Sequence, residues 1–306
     1  MSGTTIQPAE PVCSSSQQAV NWRAAASRVY WSNLACITLI HALAIAAFWH
    51  TTWDAVLVSV LLWWLLGGVG ICLGYHRLLT HRSFQCPLWL EYALAVIGAT
   101  SWEASPIRWV GQHRLHHAES DQPSDPHTPH HGSVWSHITW MFWHDPPSLD
   151  YRRFAKDLLR DPVHRWIDRW ARLFNVLVAI TLWVAAWALG RDPVAWVLWG
   201  VGVRGAVVFH ATWAVNSLGH GSGYRNYETG DDSTNNVLVA VATFGEGWHN
   251  NHHADQRSAR HGHKPRELDL TYLTILLLQR LGLAWNIRQP RSDLKPAVTP
   301  EIRMHA

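Results

Sequence analysis

The sequence predicts an all-α, multi-pass membrane protein with four transmembrane helices and a helical cap on one side of the membrane. Three observations predict it. The apolar residues gather into four runs of spanning length, the runs form two close pairs, and charges and histidines concentrate between and after the pairs. Of 306 residues, 48% are hydrophobic and only 15% charged, and Trp and His number 21 each, a composition foreign to ordinary soluble domains. The mean hydropathy of −0.07 averages over these alternating blocks and hides them.

Residues 1–21 are rich in Ser, Gln and Pro and lack a basic segment before an apolar core, which reads as a disordered cytoplasmic tail rather than a signal peptide. The first spans are expected at about 31–49 and 54–74, joined only by His50 to Trp53, and therefore as a helical hairpin. A second hairpin follows at about 171–190 and 193–214, joined by Arg191-Asp192. Trp residues stand at the ends of these runs, where an interfacial belt belongs, which disfavours buried core helices of a soluble protein. Residues 22–288 are thus expected to form one integral-membrane domain, with 289–306 as a C-terminal tail.

Charge sets the orientation. Eleven Lys and Arg lie from Arg77 to Arg172 and ten from Arg225 onward, whereas the hairpin tips carry only Arg191. By the positive-inside tendency both termini and the long central segment are cytoplasmic. The net charge of +3 and pI of about 8.8 suit a face beside anionic lipid, and no nucleic-acid pattern is present. The four Cys form no CxxC, so neither a disulfide framework nor a Cys-metal site is indicated.

The histidines fall in groups on that same side: His76 and His81 in HRLLTH, His113, His116 and His117 in HRLHH, His220 at the exit of the fourth span, and His249, His252 and His253 in HNNHH. On a helix, positions i, i+3 and i+4 share a face, with His116 and His117 splayed by about 100°, so HRLHH can serve two neighbouring metals. Asn216 and His220 share the i, i+4 relation. His76 and His81 are five apart, which a regular helix does not align, so the helix is expected to end or bend between them. Nine neutral imidazoles exceed what one metal can use and suit two, with four or five each. His41, His50, His137, His144 and His164 read as lone structural or interfacial side chains, and His127, His130, His131, His261 and His263 as surface-loop residues. His210, inside the fourth span, pairs with no motif.

HRLLTH, HRLHH and HNNHH in this order, with HATWAVNSLGHGSGYRNY (210–227) and FGEGWHNNHH (244–253), resemble the membrane-bound fatty-acid desaturases, specifically the Δ9, stearoyl-CoA desaturase-like branch, over roughly residues 31–288. The resemblance implies four spans under a cytoplasmic cap, nine histidines holding two iron ions (Fe2+), and Asn216 reaching one of them through a water. It implies that Trp109, Thr212 and Trp213 line the kink of an acyl tunnel and that Trp64 and Gly68 set its closed end. The implied activity is O2-dependent insertion of a cis double bond, at Δ9, into a saturated long-chain acyl group. Unactivated C–H bonds yield to no side-chain acid or base, so a metal-oxygen cofactor must carry that chemistry.

Two departures bear on the substrate. Animal acyl-CoA enzymes carry an Arg-Asp pair just before the central box that helps hold CoA, whereas Gly111-Gln112 stands here, as in bacterial and cyanobacterial members; a lipid-linked chain is therefore expected ahead of CoA or a carrier protein. Glu103 replaces a neutral Gln. The chain carries no haem domain and no FeS-type Cys set, so a separate ferredoxin or cytochrome b5-like donor is implied, for which Arg152, Arg153, Arg165 and Arg169 offer a docking face that could equally anchor to lipid. The competing readings are a His-box hydroxylase or oxygenase acting on another lipid and a membrane metal transporter; transport sites sit at mid-membrane, whereas these histidines lie outside the spans.

Overall fold

The computed structural model describes residues 28–146 and 149–297; the expected tail at 1–21 and the end of the one at 289–306 lie outside the described residues. Among the described residues the protein is helical, with isolated β-bridges and no extended strand. Four helices are long and apolar enough to cross a membrane: α1 (Trp31–His50), α2 (Trp53–Thr80), α5 (Pro162–Ala188) and α6 (Pro193–Ser217). Between them lie α3 (Leu88–Ala99) and α4 (Pro106–Ala118), and beyond them α7 (His249–Ala254) and α8 (Leu270–Arg280).

Local chemistry sets the starts. Thr52 caps α2 by accepting from the Ala55 amide, and Asp161 and Asp192, each before a proline, accept from the first free amides of α5 and α6. Helix α5 begins earlier than the apolar run because its first turns carry polar residues on one face and bury His164 and Ile167 on the other.

The hairpins pack through two apolar clusters. Ile71, Tyr75 and Leu79 of α2 meet Ala95 and Ala99 of α3, Ile107 and Val110 of α4, and Ile167 of α5. Ile37 and Ile40 of α1 meet Leu182 of α5 and Phe209 and Trp213 of α6. At the α2–α3 crossing a Cβ on Gly70 would stand 2.9 Å from the Gly98 amide nitrogen, so only glycine permits this approach. Leu57, Leu61, Leu177, Ile180 and Val184 point outward and remain exposed, as a lipid-facing belt requires. Arg204, wholly buried in α6, donates to the carbonyls of Gly200 and Ser101 and so ties the span to the loop after α3.

One local expectation is met and one is corrected. Helix α2 ends at Thr80, between His76 and His81, with His81 at its C-cap; from Trp63 onward it winds with π hydrogen bonding, and the His81 amide donates to the His76 carbonyl at 3.1 Å. The wider turn aligns residues five apart. In contrast, α6 ends at Ser217, and His220 lies in the turn beyond rather than on a shared helical face with Asn216. Part of the expected C-terminal tail is held in place, because Ala297 donates to the Asn226 carbonyl and the Glu228 amide to the Lys295 carbonyl.

Candidate metal centre and adjoining cavity

All nine histidines of the sequence motifs converge into two buried groups. Potential ligand atoms of His76, His81, His113, His117 and His252 lie within 4.8 Å of one another, and so do those of His116, His220, His249 and His253. Helix α4 feeds both groups: His113 and His117, one turn apart, face the first, and His116 the second. Helix α7 does the same, sending His252 to the first and His249 and His253 to the second. Arg114 fixes α4 against the end of α2 by donating to the carbonyls of Leu79 and Thr80 and to both oxygens of Asp157.

Carboxylates orient the rings from outside. Nδ1 of His76 donates to Glu246 at 2.6 Å, of His116 to Asp125 at 2.9 Å, of His220 to Asp121 at 3.0 Å and of His253 to Asp231 at 2.6 Å. Each such bond fixes the tautomer and leaves Nε2 as a lone pair aimed inward, the arrangement found behind metal-ligating imidazoles. Glu246 is itself clamped by Arg77, which also binds Asp269 and the Ala259 carbonyl. Burial alone would raise the Glu246 carboxyl, but Arg77, His261 and His76 hold it well below the usual range.

The donor set fits metal ions. Nε2 atoms approach one another at 3.1 Å between His76 and His252, 2.9 Å between His252 and His117, and 3.0 Å between His220 and His249. Nε2 of His81 and of His253 is buried without a hydrogen-bond partner. Burial, reinforced by mutual repulsion, pushes His81, His113, His116, His117, His249 and His252 well below the usual imidazole range, which keeps them in the neutral, ligating form at pH 7.

Two histidines expected in surface loops are buried beside the groups. His261 faces Glu246 at 2.9 Å with its ring tilted against His252, and His127 lies against Asp125 with its ring tilted against His116. Their loop contexts concealed burial that comes from packing against the histidine groups. His41, His137 and His210 are not isolated either: Nε2 of His41 contacts Nε2 of His210 at 3.1 Å, and Nδ1 of His210 contacts Nε2 of His137 at 3.0 Å, stapling α1, α6 and the cap.

A cavity of about 650 Å3 adjoins the first group, with His113 and Asn216 on its wall. Trp109, Thr212 and Trp213 line it. Trp64 and Gly68 do not line it: Trp64 is 47% exposed on the outside of α2, and Gly68 is packed under the Phe244 ring. The π winding changes which face these two positions occupy. Glu103 also lines the cavity, held between two residues of positive φ, Trp102 (74°) and Ala104 (84°), with Oε1 buried and unpartnered. Burial raises its carboxyl to about 8.

Four apolar helices of spanning length beside paired histidine groups able to hold metal are the features of an integral membrane protein with a histidine-rich metal site. More particularly, the chain matches the family model for fatty acid desaturases over residues 47–263. It is 46% identical over 264 residues to the sn-1 stearoyl-lipid 9-desaturase of Anabaena variabilis, covering 85% of this chain and 94% of that protein. It is 45% identical over 258 residues to the sn-2 palmitoyl-lipid 9-desaturase of Nostoc sp. (strain 36), covering 83% and 88%. It is 40% identical over 253 residues to the acyl-CoA 5-desaturase AL21 of Anemone leveillei, covering 82% and 77%. The chain belongs to the fatty acid desaturase family and is an oxidoreductase acting on fatty acyl chains.

Proposed function

We propose that the protein is an acyl-lipid Δ9 desaturase with two iron ions. The observation that carries this reading is the convergence of the nine motif histidines into two adjacent buried cages beside a cavity that reaches His113 and Asn216. His76, His81, His113, His117 and His252 would hold one iron, and His116, His220, His249 and His253 the other, with Asn216 joining through water. When bound, the irons supply the reduction of O2 and the oxidant for unactivated C–H bonds. The overall conversion takes one CH2–CH2 unit, O2, two electrons and two protons to a CH=CH unit and two waters.

The side chains do the rest. The carboxylates behind His76, His116, His220 and His253 fix ring orientation, so the cages need little reorganisation when loaded. Trp109, Thr212 and Trp213 shape the apolar wall that registers the chain. The names of the two cyanobacterial relatives support a lipid-linked substrate and position 9. Gly111 supports the lipid-linked substrate as well: a Cβ there would stand 2.6 Å from the Tyr151 carbonyl oxygen, leaving no room for the arginine of the CoA-binding pair.

We place the cap and both termini in the cytoplasm, supported by the Lys and Arg distribution. Residues 22–288 then act as one membrane-embedded domain. A separate donor, ferredoxin or cytochrome b5-like, supplies the electrons at the exposed basic face that includes Arg152 and Arg165. The test is turnover of a stearoyl glycerolipid by the purified, iron-loaded protein with reduced donor. One O2 consumed per cis monoene is expected, and a hydroxylated chain as the product would overturn the reading in favour of an oxygenase.

A further inference from the structure

The cavity wall contains a stretch that the metal cages do not use. Asn33 and Cys36 of α1 face Arg172 and Val176 of α5 across it, and Arg169 lies one turn before Arg172 on the same rim. Both helices are of spanning length, so an opening between them faces lipid rather than water. Deeper in the bundle the two helices contribute to one apolar cluster through Ile37 and Leu182.

The level of this opening follows from its neighbours. Leu173 and Val176 are 44% and 48% exposed beside and just below Arg172, as expected where hydrocarbon begins. Trp166 and Trp170 are exposed next to Arg169, as expected at the interface, and the Arg169 guanidinium lies 5.8 Å from the Trp170 ring. Arg169 and Arg172 therefore stand at headgroup depth. No carboxylate among the described residues forms an ion pair with either. The adjacent Asp168 accepts from the Ser105 hydroxyl, and Asp145 is bound to Arg108 at 2.9 Å.

We propose that Arg169 and Arg172 form a phosphate site at this sideways mouth, and that the substrate is an acyl chain of an anionic glycerophospholipid drawn from the membrane. The inference rests on the desaturase reading and names its substrate class. Two exposed guanidiniums, i and i+3 on one helix, offer the fork geometry that holds phosphate oxygens. A chain hanging from a glycerol anchored there enters the cavity directly and runs toward His113 and Asn216. A galactolipid has no charge to meet these arginines. The phosphates of an acyl-CoA share the chemistry, but would arrive from the aqueous side, where Arg108 is already paired.

The test counts lipid retained by the full-length protein in maltoside micelles, by native mass spectrometry. Distearoyl phosphatidylglycerol is offered beside monogalactosyldiacylglycerol, with stearoyl-CoA as competitor. The wild type is expected to retain the phosphatidylglycerol preferentially. Arg169→Gln/Arg172→Gln is expected to lose that preference by roughly tenfold or more, and the double Lys variant to keep part of it. Equal preference in wild type and Gln variant would overturn the site, and Arg-dependent retention of stearoyl-CoA in place of the lipid would overturn the substrate class. Because retention is read without turnover, a retained preference with no desaturation on any substrate would count against the desaturase reading alone.

Discussion

The His81 amide donates to the His76 carbonyl at 3.1 Å, and the two imidazole rings meet with centroids 4.8 Å apart. This five-residue bond is what lets HRLLTH supply two ligands to one cage. An α-helical register would turn one of the rings away.

His81→Ala is therefore expected to weaken only the cage to which His81 belongs. After dialysis, elemental analysis should find about one metal per chain where the wild type keeps two, with the protein still inserted and folded. Equal loss from both cages, or no loss, would contradict the division into five and four.

Glu246 links the cage to the buried base of α2, because it binds His76 and His261 on one oxygen and Arg77 on the other. Glu246→Gln leaves the fully buried Arg77 with Asp269 as its one remaining acid. Breaking a buried pair in this way costs about 3–5 kcal/mol. Thermal unfolding of the detergent-solubilised variant should show that loss, and Arg77→Met/Glu246→Gln should recover part of it.

Glu103 makes chain binding depend on pH. Its carboxyl, raised by burial to about 8, is neutral below that value and ionises above it on the cavity wall, where Oε1 is buried and has no partner. The affinity for an acyl chain should fall as pH rises through about 8, and Glu103→Gln should flatten the profile. Stability follows the same sign: the folded protein holds a proton that the unfolded chain releases near pH 4.3, so stability relative to Glu103→Gln declines from about 4.3 to about 8 and then levels. A profile identical in the two proteins would show that Glu103 does not meet the chain.

Much of the protein was legible in its sequence, because hydrocarbon thickness and ligand spacing leave strong periodic marks. The four spans and all nine cage histidines were visible in apolar runs and in HxxxxH and HxxHH spacing. Helix geometry alone showed that HRLHH can serve two neighbouring metals, but which histidine joins which cage is settled only by the packing of α4 against α7 and the end of α2. What escaped depends on long-range packing. Asp121, Asp125 and Asp231 stand behind the rings from ordinary loops, and His127 and His261 are buried only because the cap closes over them. Trp64 and Gly68 lie off the cavity, on a stretch of α2 whose π winding leaves little trace in composition.

The central claim is that the paired histidine cages desaturate a membrane acyl chain. Its most direct test is mass spectrometry with double-bond localisation on the lipids of a desaturase-deficient host expressing the wild type beside His252→Ala. A Δ9 monoene in glycerolipids with the wild type, absent with His252→Ala present at equal level in the membrane, is the predicted result. The same monoene in both hosts, or none from a membrane-inserted, iron-loaded wild type supplied with ferredoxin and cytochrome b5 donors, would contradict it.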